Sequence, residues 1–429
     1  MSSDSDAMGL WGAVSIGVGG MVGGGIFAVL GLSVELTQSA APLAFLLAGV
    51  VAGLTATSYA KLAVRFPSRG GTIVYLNEAF GGGLLSGGLN VLLWLSYVIM
   101  LSLYASAFGS YFVTLLPGNP PGWAFNAALS GSVIGLTALN AASAAAVGRA
   151  EEWIVLIKIT ILVVFVAAGL TVVQPGRLAP SEWASPLAIV GGGMLIFVAY
   201  EGFELIANSA EDMSDPGQVL PKAFGISVLS VTVLYVLVAV VTVGVLSLSE
   251  IQSAADFALA EAARPRFGQF GFTVIGVAAV LSTASAINAT LYGATRLTFS
   301  VAKSGELPEP FSQRMRGGVA EGLLITSALT LVIANTVDLS SISTVGSVGF
   351  LIVFGAVNLA HIRLRDGDEA LWFPMLGAVG CAVAIVALLI QASQDSIVSV
   401  LLAGGLVGVS FLIEAAYRSY SGKTKTLLP

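Results

Sequence analysis

About twelve apolar runs of close to 20 residues, nearly all without a charge, divide this chain, and that pattern leaves few folds open. They run roughly from Leu10 to Leu32, Leu43 to Tyr59, Leu85 to Leu116, Ala124 to Val147, Ile154 to Val173, Leu187 to Asn208, Ala223 to Leu246, Phe267 to Val301, Leu323 to Val337, Ile342 to His361, Trp372 to Ile390 and Ile397 to Ala416. The runs are continuous and do not alternate in polarity as the short strands of a membrane barrel do, so they read as helices. Composition agrees: 56% of the 429 residues are hydrophobic and 10% charged, with a mean hydropathy of +0.93. The expected fold class is an all-α integral membrane protein, multi-pass in the cell membrane.

Lysine and arginine in the loops set the expected orientation. With both termini cytoplasmic, inner loops hold Lys61, Arg65, Arg69, Arg149, Lys222, Lys303, Arg314, Arg316, Arg363, Arg365, Arg418, Lys423 and Lys425, while outer loops hold Arg177, Arg264 and Arg266. Met1 to Ala7 is polar and acidic, with no basic stretch or cleavage site, so the first span is expected to be retained. Cys381, the single cysteine, rules out an internal disulfide framework. The net charge of −6 comes with scattered acids and no basic stripe, so nucleic acid is not an expected partner. No Walker loop, HExxH or CxxC is present, and the one histidine, His361, stands at a helix end. Neither an enzyme nor a metal or cofactor site is expected, and the partners are the bilayer and small solutes, with the chain a monomer or weak oligomer.

Polar groups deep in lipid are costly and usually functional. Here they are Lys158 in the fifth span, Glu201 and Glu204 in the sixth, and Asn140, Asn288, Ser282 and Thr283. To these the sequence adds two helix interruptions. The first span contains GVGGMVGGGIF, Gly17 to Phe27, and the sixth is apolar from Pro186 to Ala199 and then reads Tyr200-Glu201-Gly202. Glycines at Gly19, Gly20, Gly23 and Gly24 fit close helix packing of the small-xxx-small kind; they equally fit an unwound segment. A matching break at the corresponding place of the sixth span points to a transporter's binding site. Unwound backbone in hydrocarbon needs protein or ligand partners, and glycine lets a ligand reach it.

These segments resemble the amino acid–polyamine–organocation superfamily. GGGIF (Gly23 to Phe27), FPSRGGTIVYL with Gly70, Gly71 and Tyr75, FVAYEGFE in the sixth span, and RLTFSVAKSGELP after the eighth carry the resemblance over about the first ten spans. AVGRAEEWIVLIK, Ala146 to Lys158, is similar to archaeal proton-dependent amino acid permeases that carry a lysine at this place. The resemblance implies a 5+5 inverted-repeat core with helices 1 and 6 discontinuous, and two added helices. In residues this gives a tail 1–9, repeats 10–174 and 186–365, added helices 371–416 and a tail 417–429. It places the substrate carboxylate on the N–H groups of Gly23, Gly24 and Gly25, and the amino group on carbonyls around Val22, Val198, Ala199 and Glu201. Ile26, Tyr200 and Phe203 would line or cap the pocket beside Gly202.

By the same resemblance Lys158 would contact the Gly19 carbonyl and the Ser282 hydroxyl, tying the eighth span to the first when protonated and releasing them when neutral. Amines out of contact with water release protons more readily, which makes such exchange reachable. Read alone, Lys158 lies only about 8 Å into its apolar run and could snorkel to the headgroups. Glu201 and Glu204 depart from the lysine-bearing relatives: Glu201 as a bias toward cationic side chains, Glu204 as a second proton site, or both as structural hydrogen bonds. Arg296, Lys303, Gly305 and Pro308 are expected to fix the end of the eighth span. The expected function is proton-coupled uptake of small neutral amino acids by alternating access. The alternatives are an amino acid or amine exchanger, a cationic amino acid or polyamine transporter, and a nutrient-sensing receptor on the same scaffold.

Overall fold

In a computed structural model of the chain, residues 8–142, 147–303, 320–367 and 369–421 are described. Every regular element among them is a helix, apart from two isolated bridges, Met8 to Met213 and Gln38 to Trp183. Among the described residues, nine helices are long and apolar enough to cross a membrane, and the pair Leu10–Met21 and Gly25–Thr37, bent by 47°, makes a tenth. Shorter apolar helices at Trp153–Gly169 and Glu321–Thr336 stand where the fifth and ninth spans were expected. All twelve expected segments therefore carry helix among the described residues.

Local chemistry sets the helix starts. Pro186 and Pro216 occupy first-turn positions where a missing N–H costs nothing. Ser185, Asp215 and Asp338 accept the amides of Ala188, Gln218 and Ser341, caps that stabilise a helix by about 1 kcal/mol each.

Some boundaries differ from the hydropathy reading. The first span continues to Thr37, past Leu32, since polar residues end a hydropathy window without ending a helix; there the Thr37 hydroxyl bonds the Ser33 carbonyl. The fifth begins at Val147, not Ile154, since charged residues end a hydropathy window without ending a helix. The sixth resumes after its break as a 3-10 helix, Phe203–Asp212. The eighth starts at Arg264 and kinks at Gly268, whose φ is +61°. Gly305, Pro308, Arg314, Arg316, Lys423, Lys425 and the segment 1–7 lie outside the described residues, as do the side chains of Arg149 and Lys303. Arg296 reaches the Tyr292 hydroxyl one turn away on an exposed face.

The third span, Leu84–Thr114, is buried along nearly its whole length, with the fourth (Trp123–Ala142), eighth, ninth, tenth (Leu339–Leu364) and twelfth (Ile397–Ser421) packed around it. Corresponding spans of the two halves pack on each other: first on sixth, second (Ala41–Arg65) on seventh (Pro216–Val245), third on eighth. The eleventh, Trp372–Asp395, and the twelfth flank this body and expose Val379, Val383, Leu401 and Leu412, as a lipid-facing surface requires. At the end of the bundle that carries Lys61, Arg65 and Arg69, exposed ion pairs link Lys61 to Glu369 (3.1 Å), Arg65 to Asp366 (2.8 Å) and Arg69 to Asp212 (2.8 Å).

Candidate substrate site between two broken spans

The first span stops at Met21 and restarts at Gly25. Four carbonyls around the break are taken by side chains from three other spans. Lys158 donates to Gly19 (3.0 Å), Tyr235 to Met21 (2.6 Å), and Ser282 to Gly23 (2.7 Å) and Val22 (3.3 Å). The N–H groups of Gly23, Gly24 and Gly25 donate to no other described residue. The break is thus a cluster of free donors at the start of a helix, where partial positive charge gathers. Side chains are excluded here for space: a Cβ at Gly24 would meet the Tyr104 ring at 2.3 Å, and one at Gly25 the Ala199 backbone at 2.8 Å.

The sixth span winds as an α-helix to Leu195, tightens to a 3-10 turn over Ile196–Tyr200, and breaks at Glu201-Gly202. Gly202 has φ +112°, a left-handed conformation that glycine adopts without strain. A Cβ there would lie 2.5 Å from the Gly20 carbonyl carbon, and one at Gly20 2.8 Å from the Gly202 oxygen. The two breaks therefore touch backbone to backbone, so close packing and unwinding are both realised in the same glycines. Ser347 donates to the Leu195 carbonyl (2.7 Å) and accepts the Val198 amide (3.0 Å), while Glu204 accepts the Gly202 amide (2.8 Å). The Ala199 carbonyl accepts from Tyr235 at 3.3 Å and the Val198 carbonyl from the Glu201 amide at 3.2 Å.

The structure brings the expected residues together. Val22, Ile26, Val198, Ala199, Tyr200 and Phe203 have no exposed surface. Lys158 is 2% exposed and does not snorkel; the earlier helix start puts it in the middle of its helix, with its ammonium turned to the first span. Ser282 holds the adjacent carbonyls, so the fifth and eighth spans grip the same break from two sides. Tyr200 bonds the Phe45 carbonyl at 2.7 Å, which anchors it to the second span. Phe203 packs among Tyr59, Phe224 and Phe354, closing the site toward the end that carries Lys61. Asn140 donates to Asn288 at 2.6 Å and ties the fourth span to the eighth, and Thr283 bonds its own helix at Ala279.

Sequence reasoning missed three tyrosines of the third span. Tyr97, Tyr104 and Tyr111 are seven residues apart and so share one helix face. Tyr97 donates to Glu204 (3.1 Å), Tyr104 to Glu201 (3.2 Å) and Tyr111 to the Phe27 carbonyl (3.3 Å). Glu201 and Glu204 are 3% and 1% exposed and flank Gly202, close enough for their carboxyl groups to interact. The seven-residue spacing was the available signal. Tyr235 and Ser347 carry none in the sequence beyond being polar within apolar runs.

An all-α bundle with two broken spans meeting at its centre defines a secondary-transporter class of fold. The family model for amino acid permeases matches residues 8–411, and the chain belongs to that family, within the amino acid–polyamine–organocation superfamily. It is 38% identical to uncharacterized protein MJ0609 of Methanocaldococcus jannaschii over 85% of this chain and 84% of that one. It is 34% identical to the inner membrane transport protein YbaT of Escherichia coli, over 85% of each chain. With the lysine-specific permease LysP of Escherichia coli it shares 26% identity over 82% of this chain and 77% of that one. The chain is thus a multi-pass membrane protein of an amino acid transport family.

Proposed function

We propose that this permease takes up small neutral amino acids together with protons, by alternating access, with both termini in the cytoplasm and the plasma membrane as its location. The free N–H groups of Gly23, Gly24 and Gly25 carry the reading: they form a donor-only surface suited to the carboxylate shared by all amino acids. Carbonyls of Val22, Val198 and Ala199 keep a second lone pair each and would receive the ammonium. Lys158 on the Gly19 carbonyl supports its part as the coupling group: a protonated amine holds the first span, a neutral one lets go. The pairing of first with sixth, second with seventh and third with eighth spans supports reading 10–174 and 186–365 as inverted repeats, with 371–416 appended. The first and sixth spans would then rock against a scaffold of the third, fourth, eighth and ninth.

A second reading, a cationic substrate, is favoured by the carboxyl of Glu201 beside the site and by the similarity to a lysine-specific permease. Uptake of labelled alanine and lysine into proteoliposomes tests both. Alanine uptake driven by an inward pH gradient is the expected result. Drive by sodium alone overturns proton coupling, a strict need for internal amino acid makes the protein an exchanger, and lysine uptake without alanine uptake replaces the substrate class.

A further inference from the structure

Two buried carboxyls on either side of Gly202, set beside a cluster of backbone donors, form a second ionisable centre apart from Lys158. Both oxygens of Glu204 already accept, one from the Tyr97 phenol and one from the Gly202 amide. Glu201 accepts only from Tyr104 among the described residues, so it has an oxygen to spare for a proton. Two carboxylates this close do not ionise together, so the pair holds one proton between them. Tyr104 connects the pair to the first break. Its ring lies against Gly24, its oxygen is 3.6 Å from where a Cβ of Gly23 would stand, and the same oxygen donates to Glu201. One phenol oxygen thus reaches both the donor cluster and the carboxyl of Glu201.

We infer that Glu201 and Glu204 form a one-proton pair that gates carboxylate binding at the first break: the site accepts an amino acid's carboxylate only while the pair keeps its proton. The inference rests on the reading of that break as the carboxylate site. With the proton in place the pair carries one negative charge, tied down by the Tyr97 and Gly202 donors, and Glu201 faces the break as a neutral acid. When the proton leaves for water, Glu201 becomes a carboxylate within a Debye length of the incoming carboxylate, and the like charges repel. Substrate and proton then bind in the same step at the same place. Other titratable groups facing the pair are phenols: Tyr59 from the second span, Tyr97 and Tyr104 from the third, and Tyr235 from the seventh. The first span presents glycines and apolar residues and the tenth presents Ser343 and Ser347, while Lys158 approaches from the fifth span at Gly19, next to the Gly20 contact.

Purified full-length protein, without any gradient, decides it. Alanine affinity is measured between about pH 5 and 7.5, where alanine's own charges stay fixed, alongside alaninamide, which keeps the ammonium and lacks the carboxylate. Alanine is expected to bind more weakly as pH rises, approaching about tenfold per pH unit, the limit for one linked proton. Alaninamide is expected to bind no more weakly, and E201Q to lose the slope for alanine whatever its absolute affinity. A pH-independent alanine affinity in the unaltered protein, or the full slope persisting in E201Q, overturns the inference. If no amino acid binds, the carboxylate-site reading fails, and infrared difference spectra still judge the pair. A protonated-acid carbonyl band present in the ligand-free protein and missing from E201Q supports it; no such band, or one unchanged in E201Q, overturns it.

Discussion

The two breaks meet at Gly20 and Gly202, yet they are finished in opposite ways. In the first span the carbonyls of Gly19, Met21, Val22 and Gly23 are held by side chains from elsewhere, Lys158, Tyr235 and Ser282, and the amides of Gly23, Gly24 and Gly25 are left over. In the sixth span the break is closed partly by its own chain, with Glu204 turned back onto the Gly202 amide, while Ser347 of the tenth span and Tyr235 of the seventh supply further partners. A break whose donors stay free is a place for a ligand. One that supplies its own carboxylate is a place for a proton.

The largest expected effect comes from making the same substitution in each. Gly202→Ala forces a side chain into φ +112° and against the Gly20 backbone, a cost of about 3 kcal/mol or more. Thermal unfolding in detergent should show a collapse of the folded fraction. Gly23→Ala meets the Ala286 methyl at 3.0 Å and the Gly20 carbonyl oxygen at 3.1 Å, with no left-handed backbone to strain, and should stay folded while losing amino acid binding; equal damage at both positions would erase the distinction.

Next in size is Lys158→Ala, which strips the Gly19 carbonyl of its ammonium partner. A hydrogen bond to a charged group contributes about 1.5–3 kcal/mol, so uptake under a pH gradient should fall at least tenfold. A variant that still responds fully to the gradient would move the coupling to the glutamates. Ser282→Ala removes a neutral hydroxyl from the Gly23 carbonyl at a cost of about 1 kcal/mol. Its thermal midpoint should drop by a few degrees and its uptake by a few fold, less than for Lys158→Ala.

The smallest effect lies outside both breaks, at Glu369. Burial pushes its carboxyl up, but the Lys61 ammonium, helped by His361, outweighs this and holds it below the usual range. A lowered carboxylate stabilises the fold above its unfolded pKa of about 4.3, and that contribution is lost as pH falls through the lower folded value. The pair lies at the surface with the Lys61 side chain largely exposed, so Glu369→Gln should cost little near neutral pH and flatten only the acid limb of the stability curve, with uptake unchanged. A large loss of uptake would show that this ion pair takes part in the transport cycle.

Much of this was legible in the letters. Uncharged runs locate spans because lipid forbids unpaired backbone, and glycine clusters locate breaks because nothing else lets two backbones touch. The resemblance pointed Lys158 at Gly19. Helix ends were less legible: Thr37 and Val147 extend their spans through residues whose polarity a hydropathy window counts as loop. Partners were the least legible. Tyr97, Tyr104 and Tyr111 show their common face in the sequence, but which groups that face meets depends on how the first and sixth spans cross it. Tyr235 and Ser282 bond carbonyls, and a carbonyl leaves no mark in a sequence.

Those three phenols also act as a depth gauge. Successive rungs stand about 10 Å apart along a rigid rod, and each grips a different neighbour: an acid, another acid, a main-chain oxygen. A tilt of the broken pair about the glycine crossing would strain the outer rungs in opposite senses while the middle one stayed near the pivot. Vibrational signatures of the individual tyrosines would then report which way the molecule is facing.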